Sequence, residues 1–142
     1  LMPRTAAEMG RDRRFRRGKG RDALFNPKIN IELGSKYLSH LMYNGDKVRN
    51  LFKTLAAYNA GPGKLGRWES KINYQNDPLM FMESIPSPET RNFIEQVFIG
   101  LWIYRFRLDQ PAPSLTQLAE GNWPHYKSVS NKKMGGFSNA RN

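Results

Sequence analysis

The longest apolar pattern in the chain covers residues 93–108, and it restricts the possible fold more than any other feature. Its apolar side chains cover most of the circumference of a helix instead of one stripe. Ser87 and Pro88 stand just before the pattern, and these residue types are favoured at the N-cap and first position of a helix. A helix that is apolar nearly all round is typical of a central, buried one. The sequence therefore predicts a long central helix with shorter elements packed around it.

Shorter helical patterns occupy much of the remaining chain. Apolar residues at intervals of three and four predict a helix that starts at Asn26-Pro27 and stops at Asn44-Gly45. A second helix is predicted from about Asp46 to Gly61-Pro62-Gly63, because proline cannot continue the hydrogen-bond ladder. A short apolar piece at 81–85, a proline-rich connector and a short final helix follow, and no segment alternates like a strand. The 142 residues suit one compact domain, so we expect an all-α fold of short helices around a long one.

The net charge of +11 is concentrated in two segments. Residues 11–21 hold seven basic side chains and one acid, and residues 127–142 hold four basic side chains and no acid. Residues 11–22 carry too many charges and glycines to pack, so they are predicted to form a solvated surface loop, and residues 127–142 a disordered tail. Charge alone also fits a nucleic-acid binder. Because Phe15 is the only aromatic in the basic stretch and such binders interleave stacking aromatics, we expect no nucleic-acid partner.

Several kinds of chemistry are not expected from this sequence. It has no cysteine, which excludes disulfides and thiolate catalysis. His40 and His125 are far apart, and no cluster has the spacing of metal ligands. No glycine-rich segment matches a phosphate-binding loop, and no stretch approaches the roughly 18–20 apolar residues that cross a bilayer. We therefore expect no metal, no cofactor and no transmembrane segment.

Two features remain as candidate binding or catalytic residues. Tyr58 and Asn59 stand side by side at a helix end, where a phenol and an amide can together bind a polar, ring-shaped ligand. Packing of Tyr58 and helix capping by Asn59 would produce the same pattern. Glu83 is an acid within an apolar run, so its carboxylate must reach solvent, pair with a cation such as Arg91, or face a cleft. The residue types alone leave these alternatives open.

Three stretches, taken in order, resemble the soluble lytic transglycosylases, whose catalytic domain is a lysozyme-like helical fold. LMPRTA at 1–6 is similar to a Met-Pro-x-Thr-Ala segment of that family. NPKINIELGSKYL at 26–38 and LAAYNAGPGKLGRW at 55–68 resemble its central block, and ESIPSPETR at 83–91 resembles its Glu-x-Ile-Pro and Glu-Thr-Arg block. Pro88 and Phe93 stand where the family pattern has Ser and Tyr. The resemblance implies a lysozyme-like domain over 1–126, followed by the basic tail 127–142.

The resemblance also implies an activity, which is the non-hydrolytic cleavage of peptidoglycan in the periplasm or cell envelope of a bacterium. The bond cut is the β-1,4 link between N-acetylmuramic acid and N-acetylglucosamine, and a 1,6-anhydro ring closes on the muramic acid. One glutamic acid with a raised pKa serves as acid and then as base, while the N-acetyl group of the substrate replaces a second carboxylate. The implied partners are glycan strands, with other envelope proteins as further candidates.

The family's site residues are transferred to this chain one position at a time. The implied substrate-binding residues are Met2, Thr5, Tyr58, Asn59 and Glu83. Glu89 and Arg91 match a block that is interpreted as mainly structural. The family's catalytic glutamate lies upstream of the Met-Pro-x-Thr-Ala segment, so we expect it upstream of Leu1, in a longer protein of which this chain is a part. The chain is then inactive by itself. The alternative is a non-catalytic, peptidoglycan-binding remnant.

Overall fold

The structure is a computed structural model that describes residues 2–43 and 50–128, with Lys19 described by its backbone alone. Within these residues the chain forms eight α-helices and two 3₁₀ turns. They are α1 (Pro3–Met9), the first 3₁₀ turn (Arg13–Arg16), α2 (Gly18–Asp22), the second 3₁₀ turn (Ala23–Phe25), α3 (Pro27–Tyr43), α4 (Leu51–Ala60), α5 (Pro62–Glu69), α6 (Pro78–Ser84), α7 (Pro88–Arg107) and α8 (Pro113–Ala119). No strand occurs in this part of the chain, and the all-α class is confirmed.

The starts of three helices follow from their capping residues. Asn50, Asp77 and Ser87 each accept a hydrogen bond from the backbone N–H three residues further on, at 3.1, 2.8 and 3.3 Å. These side-chain oxygens satisfy N–H groups that have no partner inside the helix. The predicted start of the longest helix at Ser87 and Pro88 is therefore confirmed.

The junction between α4 and α5 is a tight turn at Gly61. Its φ of 92° lies in the left-handed region, where a side chain would be strained. The predicted end of the helix at Gly61 is confirmed, but Pro62 then starts α5, a helix that the sequence pattern did not predict. The predicted stop at Asn44-Gly45 and the start at Asp46 lie outside the described residues.

The most deeply buried helix is α4, which lies between α3, α5 and α7. Six of its ten residues are buried, including Ala56 and Ala57, whose small side chains allow close approach by neighbouring helices. Phe52 packs on Phe98 of α7 with ring centroids 4.9 Å apart. The main core then extends to Leu65, Phe81, Ile85 and Ile94, all of which are fully buried.

Helix α7 is the longest element, but its burial differs from the prediction. It buries one face, which carries Thr90, Ile94, Phe98 and Arg105, instead of being covered nearly all round. On the opposite side Ile103 is 48% exposed and Phe106 is 65% exposed. The apolar pattern correctly predicted a long helix, but no element of the described chain covers its second face. α4 takes the central position instead.

Lys53 fastens the amino-terminal end of α4 to three other segments. Its ammonium nitrogen lies 3.1 Å from a carboxylate oxygen of Glu69 at the end of α5. The same nitrogen lies 4.8 Å from the ring centroid of Trp123 and 5.5 Å from that of Tyr74. Cation–π contacts of this kind stabilise a partly desolvated ammonium group. Lys53 thus joins α4 to α5, to the segment before α6 and to the segment after α8.

Residues 11–22 form short helical segments, and the prediction of a loop is wrong there. Asp12 caps the first 3₁₀ turn by accepting the N–H of Arg14 at 2.9 Å. Phe15 packs against a small second core of Ala6, Leu24 and Leu33. At Gly20 a Cβ atom would lie only 2.3 Å from the carbonyl oxygen of Arg14, so only glycine lets α2 pack so closely on the turn. One aromatic anchor and one glycine offset the unfavourable composition.

The described helices contain no span that is long and apolar enough to cross a membrane. The short final helix predicted after the proline-rich connector is confirmed as α8. Beyond it, the buried guanidinium of Arg105 donates to the carbonyl oxygens of Pro111 and Lys127 at 2.7 and 2.9 Å. These bonds fix the path of the chain after α8. Of the predicted tail, residues 129–142 lie outside the described part of the chain.

Candidate functional site

A cleft of about 650 Å³ opens between the start of α1, the middle of α3, the end of α4 and the start of α7. Its walls combine aromatic rings, hydroxyl groups and an amide. The lining residues are Met2, Thr5, Tyr37, Tyr58, Asn59, Ala60, Gly61, Lys64, Ser87, Glu89, Thr90 and Phe93. This volume lies within the range typical of small-molecule sites. The cleft is therefore the candidate functional site.

Tyr58 forms the aromatic part of the cleft with two neighbouring rings. Its ring is stacked on Phe93 of α7, with centroids 6.0 Å apart and planes 4° from parallel. The ring of Tyr37, on α3, lies 5.5 Å from the Tyr58 ring, centroid to centroid. Gly34 of α3 gives room for the phenol, since a Cβ atom there would lie 3.0 Å from the Tyr58 hydroxyl oxygen. Tyr58 is thus held between α3 and α7 and still lines the cleft.

Both tyrosines keep their phenolic protons at neutral pH. Burial raises the pKa of Tyr58 above its ordinary value of 10.0. Burial likewise raises the pKa of Tyr37, and the negative charges of Glu8 and of ionised Tyr58 raise it further. Each ring therefore carries a neutral hydroxyl group that can donate a hydrogen bond.

Asn59 is oriented by a chain of hydroxyl groups from the first turn of α7. The hydroxyl oxygens of Thr90 and Ser87 lie 3.0 Å apart, and the Thr90 oxygen lies 2.7 Å from Oδ1 of Asn59. Thr90 has one hydroxyl proton. When Thr90 donates that proton to Asn59, Ser87 must donate to Thr90. The amide oxygen of Asn59 is then used within the protein. Its NH₂ group makes no hydrogen bond within the described residues and stays available as a donor on a residue that lines the cleft.

This geometry bears on the two interpretations of Asn59. Asn59 does not cap α4, because Gly61 stands at the carboxyl end of that helix and the side chain of Asn59 bonds to Thr90 of α7. Thr90 is 1% exposed, so the bond lies in a nearly dry environment. Tyr58 packs as the alternative interpretation required, and it also lines the cleft.

The structure brings four of the five residues implied as substrate-binding to one cleft. Met2, Thr5, Tyr58 and Asn59 all line it, although the first two lie at the start of the chain and the last two at the end of α4. Glu83 is exposed on α6 and is not among the lining residues. Its assignment to the site gains no support from this geometry and stays a prediction. The interpretation of Arg91 as structural fits its bond, since its guanidinium donates to the carbonyl oxygen of Ile85.

Sequence reasoning did not identify several cleft residues. Tyr37 lines the cleft and Gly34 makes room for the Tyr58 hydroxyl. Both lie in the segment 26–38, which was interpreted as a helix with one buried face and as part of the family's central block, with no site role for either residue. Their spacing of three residues places them on one side of α3, which is the one signal that was available. Glu89, interpreted as structural, lines the cleft and is exposed. The link from Thr90 to Asn59 spans 31 residues, and no local pattern encodes such a contact.

The charged groups of the cleft are few. Among the described residues that line it, Glu89 is the only carboxylate and Lys64 the only cation. No three His, Asp or Glu side chains of the described chain come together in a way that could hold a metal ion. Most of the polar groups in the lining are therefore neutral, and they include those of Thr5, Tyr58 and Asn59.

A second, more apolar groove of about 360 Å³ adjoins the cleft on the other side of Tyr58 and Phe93. Ile31, Leu38 and Val97 are among its lining residues, and Tyr58 and Phe93 belong to both depressions. The stacked pair therefore forms a partition.

The fold and the cleft define a class, which is a small all-α domain with a cleft that combines stacked aromatic rings with an amide and hydroxyl groups. Comparison with known proteins gives the particular family. Residues 1–81 match the family model described as the transglycosylase SLT domain. The chain therefore belongs to the transglycosylase SLT domain family, and the resemblance inferred from its motifs is confirmed.

The relatives that the chain matches are much longer proteins. It is 33% identical over 110 residues to the soluble lytic murein transglycosylase of Salmonella typhimurium, covering 78% of this chain and 17% of that protein. It is 36% identical over 89 residues to the protein of the same name from Escherichia coli, covering 62% and 14%. A membrane-bound lytic murein transglycosylase C from Glaesserella parasuis is 31% identical over 122 residues, covering 68% and 31%. The match thus spans less than a fifth of the first two relatives, and no solved structure matched the chain significantly.

Proposed function

We propose that this chain carries the substrate cleft of a peptidoglycan lytic transglycosylase. The observation that carries the proposal is the position of the family's motif residues. Two separate stretches of sequence contribute Met2, Thr5, Tyr58 and Asn59 to one cleft, in a chain that belongs to the SLT family. The proposed substrate is a peptidoglycan glycan strand, and the proposed site of action is the periplasm or cell envelope of a bacterium. The proposed domain covers residues 1–126.

The chemistry of the cleft fits an amino sugar. A pyranose ring has an apolar face that packs on an aromatic ring, and Tyr58 and Tyr37 line the cleft with such rings. An N-acetyl group has a carbonyl oxygen that accepts hydrogen bonds, and the NH₂ group of Asn59 is free to donate one. Because the cleft lining includes one carboxylate and one cation, binding depends on neutral hydrogen bonds and ring contacts. We propose that Tyr58 and Asn59 provide the main contacts.

The proposed reaction needs a general acid that lies in an apolar environment. The described residues of the cleft include no such acid. Glu89 is the only carboxylate among the described lining residues, and it is exposed in the first turn of α7. A single glutamate that acts as acid and then as base needs a raised pKa from an apolar site. We propose that this glutamate is supplied from outside residues 1–142. The names of the relatives favour the enzyme over the non-catalytic remnant.

The test uses the whole protein that the gene encodes, incubated with purified peptidoglycan sacculi. Mass spectrometry of the released fragments should find 1,6-anhydromuramic acid ends. Fragments that carry only reducing ends would show hydrolysis and contradict the proposal. Absence of any product, together with retained binding of glycan strands, would support the non-catalytic alternative instead.

A matched pair of substitutions tests the role of the cleft. Asn59→Ala should lower the rate of fragment release by at least about tenfold, because one oriented donor is lost at the reacting sugar. Asn92→Ala is the control, since Asn92 is exposed on α7 and is not among the cleft residues. It should leave the rate unchanged. Equal rates for both variants would show that Asn59 has no part in substrate binding.

A further inference from the structure

The basic segment 11–21 is a feature of the sequence that the proposed function does not use. Four of its arginines, Arg11, Arg13, Arg17 and Arg21, are exposed and have no carboxylate partner within the described residues. We call these four side chains the arginine surface. The neighbouring Arg14 differs, because its Nε and Nη2 atoms donate to Oδ2 of Asp12 at 3.0 and 2.9 Å. The segment therefore contains guanidinium groups that take no part in ion pairs within the described residues.

The arginine surface is held in place by the fold. Phe15 packs on the second core, and α2 lies directly against the backbone of Arg14 at Gly20. These contacts gather the arginines of the first 3₁₀ turn and of α2 on one small lobe that packs on α1. Side chains on an ordered lobe lose less entropy when they bind a ligand than side chains on a flexible loop.

Helix α1 is in contact with this lobe and also contributes to the wall of the cleft. At its amino-terminal end, Met2 lines the cleft, while the adjacent Pro3 lines a depression of about 290 Å³ together with Arg21. At its carboxyl-terminal end, Glu8 lies 4.0 Å from the guanidinium of Arg16. The charge of Glu8 also acts on Tyr37, which lines the cleft. The lobe therefore packs on the same helix, α1, whose residue Thr5 lines the cleft.

We propose that the arginine surface binds the carboxylates of the peptide stems on the glycan strand that occupies the cleft. This inference rests on the proposed function. A strand in the cleft carries its stems outward from the muramic acid residues, and the free carboxylates of those stems complement exposed guanidinium groups. Single-stranded nucleic acid is less favoured, because the one aromatic of the segment, Phe15, packs against Gly10 and the second core instead of being free to stack.

The test compares two glycan probes with the full chain. One is a set of soluble glycan strands with intact peptide stems, and the other is the same strands after an amidase has removed the stems. We expect the chain to bind the intact strands about three- to tenfold more tightly, since a few exposed ion pairs each contribute modestly. Equal binding of both probes would overturn the inference. Failure to bind the stripped strands at all would instead argue against the proposed function.

A charge-matched pair of variants assigns the effect to the arginine surface. Arg13→Gln with Arg17→Gln should reduce the preference for intact over stripped strands, because two of the four arginines are lost, and leave binding of stripped strands unchanged. Arg67→Gln with Arg107→Gln removes the same charge from exposed positions on α5 and α7 and should preserve the preference. The inference is overturned if both pairs act alike. It is also overturned if the Arg13/Arg17 pair weakens binding to duplex DNA or to anionic phospholipid vesicles more than binding to intact strands.

Discussion

Two buried threonines give opposite predictions for the same substitution. Thr90 is 1% exposed, and its hydroxyl oxygen lies within hydrogen-bond distance of Asn59 and Ser87. Thr54 is 2% exposed on α4, and its hydroxyl has no hydrogen-bond partner within the described residues. Valine has nearly the shape of threonine but no hydroxyl. Thr90→Val therefore removes a hydroxyl group that is hydrogen-bonded. Thr54→Val removes a buried hydroxyl group that has no hydrogen-bond partner within the described residues.

The magnitudes follow from the cost of unsatisfied polar groups. Thr90→Val leaves the amide oxygen of Asn59 without its partner in a nearly dry site, so the free energy of unfolding should fall by about 1–3 kcal/mol. For a chain of this size, that corresponds to a melting temperature lower by roughly 3–10 °C. Thr54→Val should leave the free energy of unfolding unchanged or raise it by up to about 1 kcal/mol. Thr90→Ser keeps the hydroxyl and should remain much nearer to the native protein.

The assay combines stability with ligand binding. Urea and thermal unfolding of the three variants give the order of stability, and titration with oligomers of N-acetylglucosamine gives the affinity of the cleft. Thr90→Val should also weaken binding, because Asn59 is then free to rotate its amide, whereas Thr54→Val should not. The reasoning is refuted if both valine variants lose the same stability, or if Thr90→Val binds the oligomers as tightly as the native chain.

Three further predictions concern charged and phenolic groups. Glu89→Gln in the whole protein should change the rate of fragment release less than about tenfold, and a loss of a hundredfold or more would make Glu89 the general acid. Lys53→Met should lower the free energy of unfolding by about 1–3 kcal/mol in urea titrations, because its pair with Glu69 is only partly exposed. A loss no greater than that of Lys71→Met, at an exposed lysine, would contradict this. The pKa values of Tyr37 and Tyr58 are raised by burial, so their contribution to stability is present below about pH 10 and is lost as the pH rises through the folded-state values. Urea unfolding at pH 8–11 should show this loss, and Tyr58→Phe should reduce it.

The helix boundaries could be predicted because they are local. Ser87-Pro88 and Gly61 each act on the backbone within one turn, and such signals need no knowledge of the rest of the fold. The burial of α7 could not be predicted in the same way. Periodicity counts the apolar side chains at Ile103 and Phe106 but does not say which element covers them, and in the described chain both stay exposed.

The prediction of a loop over residues 11–22 was wrong for a different reason. Composition measures the average of a stretch, whereas folding there depends on two single residues. Phe15 provides the apolar anchor, and Gly20 lets two backbone segments approach more closely than any side chain would allow. Averaging over residues 11–22 hides both, since charges and glycines dominate the count. A charged stretch with one well-placed aromatic can therefore be ordered when a neighbouring helix such as α1 offers a surface for it.

The candidate site was partly visible in sequence because Tyr58 and Asn59 are adjacent, but what orients them is not. Ser87 caps α7 through the N–H of Thr90, and its hydroxyl also continues through Thr90 to the amide of Asn59. The Ser87 hydroxyl, which caps the longest helix, is thus also the first member of the hydrogen-bond series that orients the Asn59 amide. Loss of the Ser87 hydroxyl would change the orientation of the Asn59 amide under conditions in which α4 is still folded. Ser87→Ala should for this reason weaken ligand binding at temperatures where the helical signal in circular dichroism is still native, and a parallel loss of both would show that the cap acts on stability alone.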